Sequence, residues 1–322
     1  MSISNEPSAG TQNLSWHVSE RIIFRFSFCY IVLYYVPYVL GAVPGTVLLV
    51  NWFSRSWILL VYGMVGVPAP LQPTGSGDTF SAYILQLVIL ILALVMGLTW
   101  SIFDRRRSSY IRLHGWLRVL ARYALAFALL SYAFSKVIPT QFIHLQNSQL
   151  AESYGRSSPM GLLWKFMGYS TAYTFFGGCA ELLPAVFLLF RRTALLGSLL
   201  AFAVMLNVVM LNFCYDVPVK LYSLNLLLLS MFLILPDTSR LFNIFVLNAS
   251  AQPSNLREPV LSHNSVRRTA LVLKFTVLAI FLVRTVVSSV SRYREVEART
   301  APSAYPLTTR GFHWIQEEPF NR

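Results

Sequence analysis

One acidic side chain, that of Glu181, lies near the middle of an apolar run and is the group best placed for proton chemistry. The run covers residues 169–190, which is long enough to cross a bilayer. An ionised carboxyl at that depth costs roughly 3 kcal/mol or more unless it is paired, protonated or hydrated. Two glycines precede Glu181 and Pro184 follows it, so a neighbouring helix can approach closely and the helix can bend. We interpret Glu181 as a candidate catalytic acid or base; the alternative is a neutral carboxyl hydrogen-bonded to a neighbouring helix.

Other polar residues are expected at the same depth as Glu181 or nearer the outer face of a membrane. Lys136 lies at the end of the preceding apolar run, and we interpret it as a second catalytic candidate. At a rise of 1.5 Å per residue, Asn207 lies about level with Glu181. These positions predict a polar pocket that opens outward, with Glu181 at its floor. The expected lining residues of this pocket are Asn207, Asp216, Lys220, Asn225, Tyr173 and Tyr132.

Several of these residues also have a purely structural interpretation. Asp216 and Lys220 can pair across a tight turn. Lys136 can extend its ammonium group toward the lipid headgroups. Asn207 can bridge two helices through hydrogen bonds. The residue types alone leave both interpretations open.

The composition is that of a multi-pass membrane protein. Hydrophobic residues make up 55% of the 322 residues and charged residues only 12%, whereas soluble domains have about 25% charged residues. The net charge of +13 does not indicate nucleic-acid binding, because the basic residues cluster at the ends of apolar runs, as membrane topology requires. The three cysteines form no CxxC pair, and no Cys/His cluster has the spacing of metal ligands.

The apolar runs predict an all-α protein with about seven spans. The basic clusters place the N-terminus in the cytoplasm and the C-terminus outside the cell (inner) membrane, by the positive-inside rule. The predicted segments are a cytoplasmic tail (1–20), two spans separated by a long loop (21–113), four further spans (114–236), a cytoplasmic loop (237–268), a seventh span (269–290) and an extracytoplasmic tail (291–322). Residues 141–168 are predicted to form a loop within the four-span segment.

The long loop contains an apolar piece, Trp57–Val67, that is too short for a straight span. We predict that it is re-entrant or interfacial, because a span there would reverse all later helices and break the positive-inside rule. The loop closes with a polar turn, Thr74–Thr79. Either Asp78 or Thr79 is expected to cap the helix predicted over Phe80–Phe103, although the same turn can instead contact a ligand.

Two short motifs carry a resemblance to a known family. The first is Arg122-Tyr123 followed by Ser135-Lys136, which puts a basic residue at each end of one span. The second is Gly177-Gly178-Cys179-Ala180-Glu181-Leu182, followed by apolar residues and Arg191-Arg192-Thr193. On these motifs, residues 114–236 resemble the DoxX family of small bacterial membrane proteins. The resemblance implies a four-helix bundle that acts as the membrane subunit of a quinone-linked, thiol or sulfur-compound oxidoreductase. By this match, Lys136 and Glu181 are the residues that carry over.

Three functions remain open at this point. The first is a membrane subunit of an oxidoreductase complex that binds a quinone and works with membrane lipids and a soluble redox partner subunit. A carboxyl and a lysine near an aromatic mouth suit quinone carbonyls and proton uptake. The second is a non-enzymatic protein that binds or transports a lipid or small molecule. The third is a membrane modification enzyme resembling the vitamin-K-dependent carboxylase-like domains, with a lysine base near the outer face.

Overall fold

The computed structural model describes residues 16–41, 47–66, 76–143, 145, 147–251, 253 and 263–300. Within these ranges the chain forms helices and turns, and no β-strand occurs there. The predicted tails lie largely outside the described residues. The α-helices in chain order are α1 (Val18–Gly41), α2 (Val47–Val65), α3 (Phe80–Phe103), α4 (Ile111–Val137), α5 (Asn147–Leu150), α6 (Pro159–Tyr169), α7 (Thr171–Leu188), α8 (Ala194–Cys214), α9 (Lys220–Ile234), α10 (Thr238–Phe245) and α11 (Asn264–Thr300).

The prediction of an all-α, multi-pass membrane protein is confirmed. In the part of the chain that the structure describes, six helices are long and apolar enough to cross a membrane: α3, α4, α7, α8, α9 with its continuation to Phe245, and α11. Helix α3 has the predicted bounds, and the Thr79 hydroxyl caps it by accepting from the Ala82 amide at 3.2 Å. Helix α1, with 24 residues, corresponds to the remaining predicted span. The exact number of seven crossings stays a prediction.

Two segments predicted as loops contain helices. Residues 141–168 include α5, a 3-10 turn and most of α6. Helix α6 begins with a proline at its first position, and the Ser158 hydroxyl accepts from the Gly161 amide at 3.0 Å. This Ser-Pro pair is a regular helix start, which the apolar count did not register. The predicted cytoplasmic loop likewise begins with a 3-10 turn and α10.

Helix α2 is longer than the predicted apolar piece, and its path bears on topology. Helices α1 and α3 run antiparallel, since the start of α1 meets the end of α3 where Arg25 donates to the Asp104 carbonyl at 2.6 Å. Near the end of α2, Tyr62 hydrogen-bonds Ser81, at the start of α3, at 3.0 Å. Helix α2 therefore ends on the side of the α1–α3 pair where α1 itself ends. A helix that crossed the membrane after α1 would end on the opposite side, so this path favours an interfacial α2.

The chain divides into two compact units. The first unit comprises Met1–Leu130 and Ala180–Thr269, and the second comprises Ser131–Cys179 and Ala270–Arg322. In the first unit, α1 packs along α3 and α8 packs along α9. Helix α8 turns its buried residues toward the interior at steps of three and four, as an α-helix packed on one side must; they are Gly197, Ser198, Ala201, Met205, Val209 and Asn212.

A buried arginine fixes the start of α1 to the end of α3. Arg25 is 4% exposed, and its guanidinium also donates to the Tyr110 hydroxyl at 2.8 Å. That hydroxyl in turn donates to the Asp104 carboxylate at 2.7 Å. The hydrogen bond from Tyr110 lowers the pKa of Asp104, and the charges of Arg107 and Arg25 lower it further. The three side chains thus form a charged clasp at one end of the first unit.

In the second unit, α7 and α4 touch backbone to backbone at Gly178. A Cβ atom there would lie 2.9 Å from the Val137 amide nitrogen and 3.0 Å from the Ala133 carbonyl oxygen. The neighbouring Gly177 has room for one, because its nearest atoms, on Lys136 and Met167, would be 3.9 Å away. Of the two glycines in the motif, Gly178 is the one that the close helix contact requires.

We expect Gly178→Ala to lower the free energy of unfolding by about 1–3 kcal/mol, because the added methyl must push two backbones apart. Gly177→Ala is the matched control. It should be neutral or stabilising by up to about 1 kcal/mol, since alanine favours the helix. Thermal unfolding of both variants in one detergent measures the difference, and equal melting temperatures would contradict the close contact.

The clasp predicts an acid-dependent loss of stability. Because the pKa of Asp104 is lowered in the fold, its contribution is complete above the unfolded value of about 4 and is lost as the pH falls through the folded value. Tyr110→Phe removes the largest cause of the shift. We expect a lower melting temperature at neutral pH and a smaller further decline on acidification. Tyr215→Phe, at the opposite end of the unit, should keep the wild-type profile; identical profiles for Tyr110→Phe and wild type would refute this role.

Candidate ligand-binding site

Three polar side chains from three helices of the first unit meet in one hydrogen-bonded set. Gln86 of α3 donates from Nε2 to the Tyr30 hydroxyl of α1 at 2.7 Å. The Tyr30 hydroxyl donates to Oδ1 of Asn225 in α9, and Nδ2 of Asn225 donates to Oε1 of Gln86 at 3.4 Å. We call Tyr30, Gln86 and Asn225 the polar ring. Because hydrocarbon offers no water to these groups, such mutual bonding is what allows them inside a membrane.

Asn225 is the most firmly held member of the polar ring. Its side chain also donates to the Leu221 carbonyl at 2.8 Å. The backbone carbonyl of Asn225 accepts from the Tyr35 hydroxyl at 2.8 Å. Fewer of the hydrogen-bonding groups of the Gln86 side chain are occupied. Its amide nitrogen carries two hydrogens, and among the described residues Tyr30 is the acceptor for one of them. The second N–H of Gln86 is therefore a donor that a ligand can use.

Tyrosines continue the site along α1 toward the end where α2 and α3 meet. Phe26, Tyr30, Tyr34 and Tyr38 follow one another at four-residue spacing, and their successive ring centroids lie 6.2, 6.0 and 5.5 Å apart. The ring of Tyr222 in α9 packs against the ring of Tyr38, with 5.7 Å between the centroids. Spacing of four keeps the rings on one helix face, so α1 presents a continuous aromatic strip beside α3 and α9.

Two adjacent cavities lie along this aromatic strip, and Gln86 lines both. The larger, of about 560 Å³, follows α9 between Leu221 and Leu235 and includes Tyr30 and Asn225 in its wall. The smaller, of about 450 Å³, is lined by Tyr34, Tyr38 and Tyr222 and reaches Ser54 of α2. Both volumes fall in the range of small-molecule sites. We call the two cavities together the groove. It is apolar and aromatic, with hydrogen-bonding groups at one level.

The turn before α3 is hydrogen-bonded to the turn and first residues of α9. The Asp78 carboxylate accepts from the backbone amides of Lys220 at 2.6 Å and Leu221 at 3.1 Å. Gly77 donates to the Pro218 carbonyl at 2.9 Å, and a Cβ on Gly77 would lie 2.9 Å from that same oxygen. Asp78 thus caps α9, while Thr79 caps α3. This fastening holds α3 and α9 at the spacing that the groove needs.

The two catalytic candidates predicted from the sequence are both buried. Glu181 of α7 is 3% exposed in the first unit, and Lys136 of α4 is 8% exposed in the second. In the second unit, the Lys136 ammonium lies 5.4 Å from the centroid of the Tyr132 ring, a cation–π distance. Thr174 and Ala185 of the same helix as Glu181 are also buried, at 1% and 0% exposure. Glu181 is not among the residues that line the groove.

The predicted pocket residues separate into different places. Asp216, in a left-handed conformation (φ 51°), pairs with the Lys220 ammonium at 2.5 Å, which is the structural alternative noted for this pair. Tyr173 is 47% exposed in the second unit and packs edge-on against Phe166 at 5.5 Å. Among the predicted lining residues of the first unit, Asn225 lines the groove, and Lys220 donates its backbone amide to Asp78.

Asn207 does not join this arrangement, because it lies on the exposed side of α8. The buried positions of α8 include Met205 and Val209, and Asn207 stands between them, roughly half a turn away. The buried asparagine of this helix is Asn212, whose side chain donates to the Ser223 hydroxyl at 2.9 Å. The depth predicted for Asn207 stays a prediction, and its rotational position on α8 places it away from the buried face.

A comparison with curated proteins finds one relative worth weighing, the uncharacterized protein YwoB of Bacillus subtilis (strain 168). It is 33% identical to this chain over 124 residues, which are 38% of this chain and 79% of YwoB. The chain belongs to the YwoB family. YwoB is uncharacterized, so membership of its family assigns no activity to this chain. The shared region is well under half of this chain, so the YwoB family accounts for one part of a larger protein.

No family model matches the chain, and no solved structure matches it. The site therefore has to be judged on its own geometry. Tyr30 and Gln86 were not singled out from the sequence, although a signal existed for each. Gln86 is an amide inside the otherwise apolar run Phe80–Phe103, and polar residues in spans mark functional or packing sites. Tyr30 belongs to tyrosines spaced by four residues in α1.

We expect Asn225→Leu to destabilise the first unit by about 1–3 kcal/mol, because it leaves Tyr30 and Gln86 with lost hydrogen bonds in an apolar setting. Asn207→Leu makes the same chemical change on an exposed, membrane-facing side of α8 and should be neutral or slightly stabilising. Thermal unfolding in nanodiscs compares the two variants. Equal losses of stability would show that the polar ring does not tie the helices together.

Proposed function

We propose that this chain is a multi-pass protein of the cell (inner) membrane that binds a quinone, and that it serves as the membrane subunit of an oxidoreductase complex. One observation carries the proposal: Gln86, whose amide has an available N–H, lines both cavities of the aromatic groove and belongs to the polar ring. A quinone combines a flat ring bearing carbonyl acceptors with an apolar tail. The groove offers a donor, aromatic faces and an apolar extension, which are the complementary features.

The lining residues assign a part of the ligand to each part of the groove. The head carbonyl accepts from the second N–H of Gln86, and the ring lies against the tyrosines of α1. The larger cavity takes the apolar tail, since its wall beyond Asn225 is mainly leucine, methionine and phenylalanine. Tyr30 and Asn225 orient the Gln86 amide by holding its other groups. The residues that act on the ligand directly are thus few.

The redox step itself belongs to a partner in this proposal. Electrons reach the quinone from a soluble redox partner subunit, and the chain supplies the membrane site where the quinone is held. Glu181 stays the candidate for proton handling because an intramembrane carboxyl is suited to it. The resemblance of residues 114–236 to the DoxX family, whose members include membrane subunits of quinone-linked oxidoreductases, supports the same assignment.

The distribution of charge supports the predicted orientation, with the N-terminus cytoplasmic and the C-terminus extracytoplasmic. The end of the first unit that holds the Arg25 clasp also holds Arg118 and Arg240, which both pair with Asp237, at 3.6 and 2.7 Å. Arg105, Arg106 and Arg107 follow α3 at that same end. The opposite end carries the Asp78 and Asp216 carboxylates. By the positive-inside rule the arginine end faces the cytoplasm.

A second candidate function is the binding or transport of a lipid without redox chemistry. The length and apolar character of the larger cavity favour it, because an acyl or isoprenoid chain alone can fill that space. The two functions differ in what the ligand head must offer. A quinone needs its carbonyl recognised, whereas a lipid chain does not.

The test is binding of a short-chain quinone to the purified full chain in nanodiscs. Quenching of tyrosine and tryptophan fluorescence measures the binding. We expect Gln86→Met to weaken binding by about tenfold, the loss of one buried hydrogen bond to the head. Tyr30→Phe should weaken it less, since the aromatic face is kept. Asn207→Leu is the matched control and should bind like wild type.

An isoprenoid alcohol with the same tail as the quinone separates the two candidate functions. Weaker binding of the alcohol, with no effect of Gln86→Met on it, supports the quinone. Equal affinity for both ligands would replace the quinone proposal with lipid binding. Absence of quinone binding to the wild-type chain would overturn the proposal.

A further inference from the structure

The long helix α11 carries a charged residue on an exposed face inside its membrane span. None of the residues in its most apolar stretch is buried. Arg284 lies on the exposed side, about 12 Å short of the next arginine, Arg292, at 1.5 Å per residue. Among the described residues, Arg284 has no hydrogen bond or ion pair. Charged side chains within spans generally pair with another group, so this position calls for an anion from outside the described chain.

Arg284 belongs to a regular seam and is not an isolated residue. Most of α11 is exposed, and one line of exposed residues follows alternating steps of four and three, the spacing along which a helix packs against another helix. Four of them are large aliphatic residues that are 45–63% exposed. The seam consists of Leu273, Val277, Ile280, Arg284, Val287, Ser291, Arg294 and Ala298. Lys274, the other cation of the span, lies off the seam on a half-buried face.

The seam extends beyond the membrane, which distinguishes a protein occupant from a lipid. Helix α11 has 37 residues, or ~55 Å of helix against a hydrocarbon core of ~30 Å. Its last turns, from Arg292, are rich in charge and lie past the apolar stretch. A few helical turns in water are marginal by themselves. Lipid can cover Leu273 or Ile280, but it cannot cover Arg294 and Ala298 in water, whereas a partner helix can cover the whole seam.

We propose that the seam of α11 binds a membrane helix of another protein, and that this helix carries an aspartate or glutamate at the depth of Arg284. A second copy of this chain does not fit the seam in parallel, because it would set Arg284 against Arg284 in a medium of low dielectric constant. The aliphatic residues supply close packing, and the ion pair supplies register and choice of partner. None of the seam residues lines the groove, and the proposal does not rest on quinone binding.

The test is site-specific photocrosslinking of the full chain in its native membranes. A benzophenone amino acid at position 280 is on the seam, and one at position 278 is on the half-buried face. We expect an adduct from position 280 and not from position 278. Its crosslinked peptide, sequenced by mass spectrometry, should come from the membrane span of another protein and contain an aspartate or glutamate.

Charge variants decide whether Arg284 makes the contact. The variants are compared at equal protein level. Arg284→Leu should reduce the yield of the adduct by about tenfold, whereas Arg284→Lys and Lys274→Leu should leave the yield unchanged. Arg284→Glu should lose it, and changing the partner acid to arginine should restore it. An adduct unchanged in Arg284→Leu, a partner span without an acid, or adducts with lipid or with a second copy would each overturn the proposal.

Discussion

Hydrogen bonds that must be made inside the membrane determine how the first unit is arranged. Hydrocarbon provides no water, so a tyrosine, a glutamine and an asparagine at the same depth have to find one another. Tyr30, Gln86 and Asn225 do so from helices that are far apart in sequence. Their mutual bonds set the rotation of α1, α3 and α9 about their own axes. The aromatic strip and the groove follow from that rotation, because the same faces that carry the polar ring carry the tyrosines.

The ends of these helices are fixed by different chemistry. At one end the Arg25 guanidinium donates hydrogen bonds to the Tyr110 hydroxyl and the Asp104 carbonyl. At the other end the Asp78 carboxylate takes two amides at the start of α9. Both sites use a full charge to satisfy backbone groups that a helix terminus leaves without partners. Between these two ends, the polar ring joins α1, α3 and α9 through neutral side chains, at a depth where a charge would be most costly.

The fold class and much of the helix layout could be predicted from the sequence, because apolar length is a strong signal. Helix α3 was predicted with the bounds that it has, and Thr79 was one of the two residues, with Asp78, predicted to cap it. The candidate site was predicted less well. Depth along a helix can be counted, but rotation depends on which faces pack, and this is why Asn207 was grouped with residues it does not meet. Gln86 and Tyr30 were passed over because uncharged side chains give a weaker signal than the carboxyl of Glu181. Pairings between helices distant in sequence leave no local pattern to read.

The fastening of Asp78 to the start of α9 has a consequence for how the protein is made. Asp78 leaves the ribosome 142 residues before Lys220 does, and folding during synthesis proceeds from the N-terminus. During that interval the Asp78 carboxylate has none of its α9 amide partners, and Gln86 has no Asn225. The groove is consequently among the last features of the first unit to form. A nascent chain that stalls before residue 220 therefore leaves Asp78 without the amides of Lys220 and Leu221, and Gln86 without Asn225.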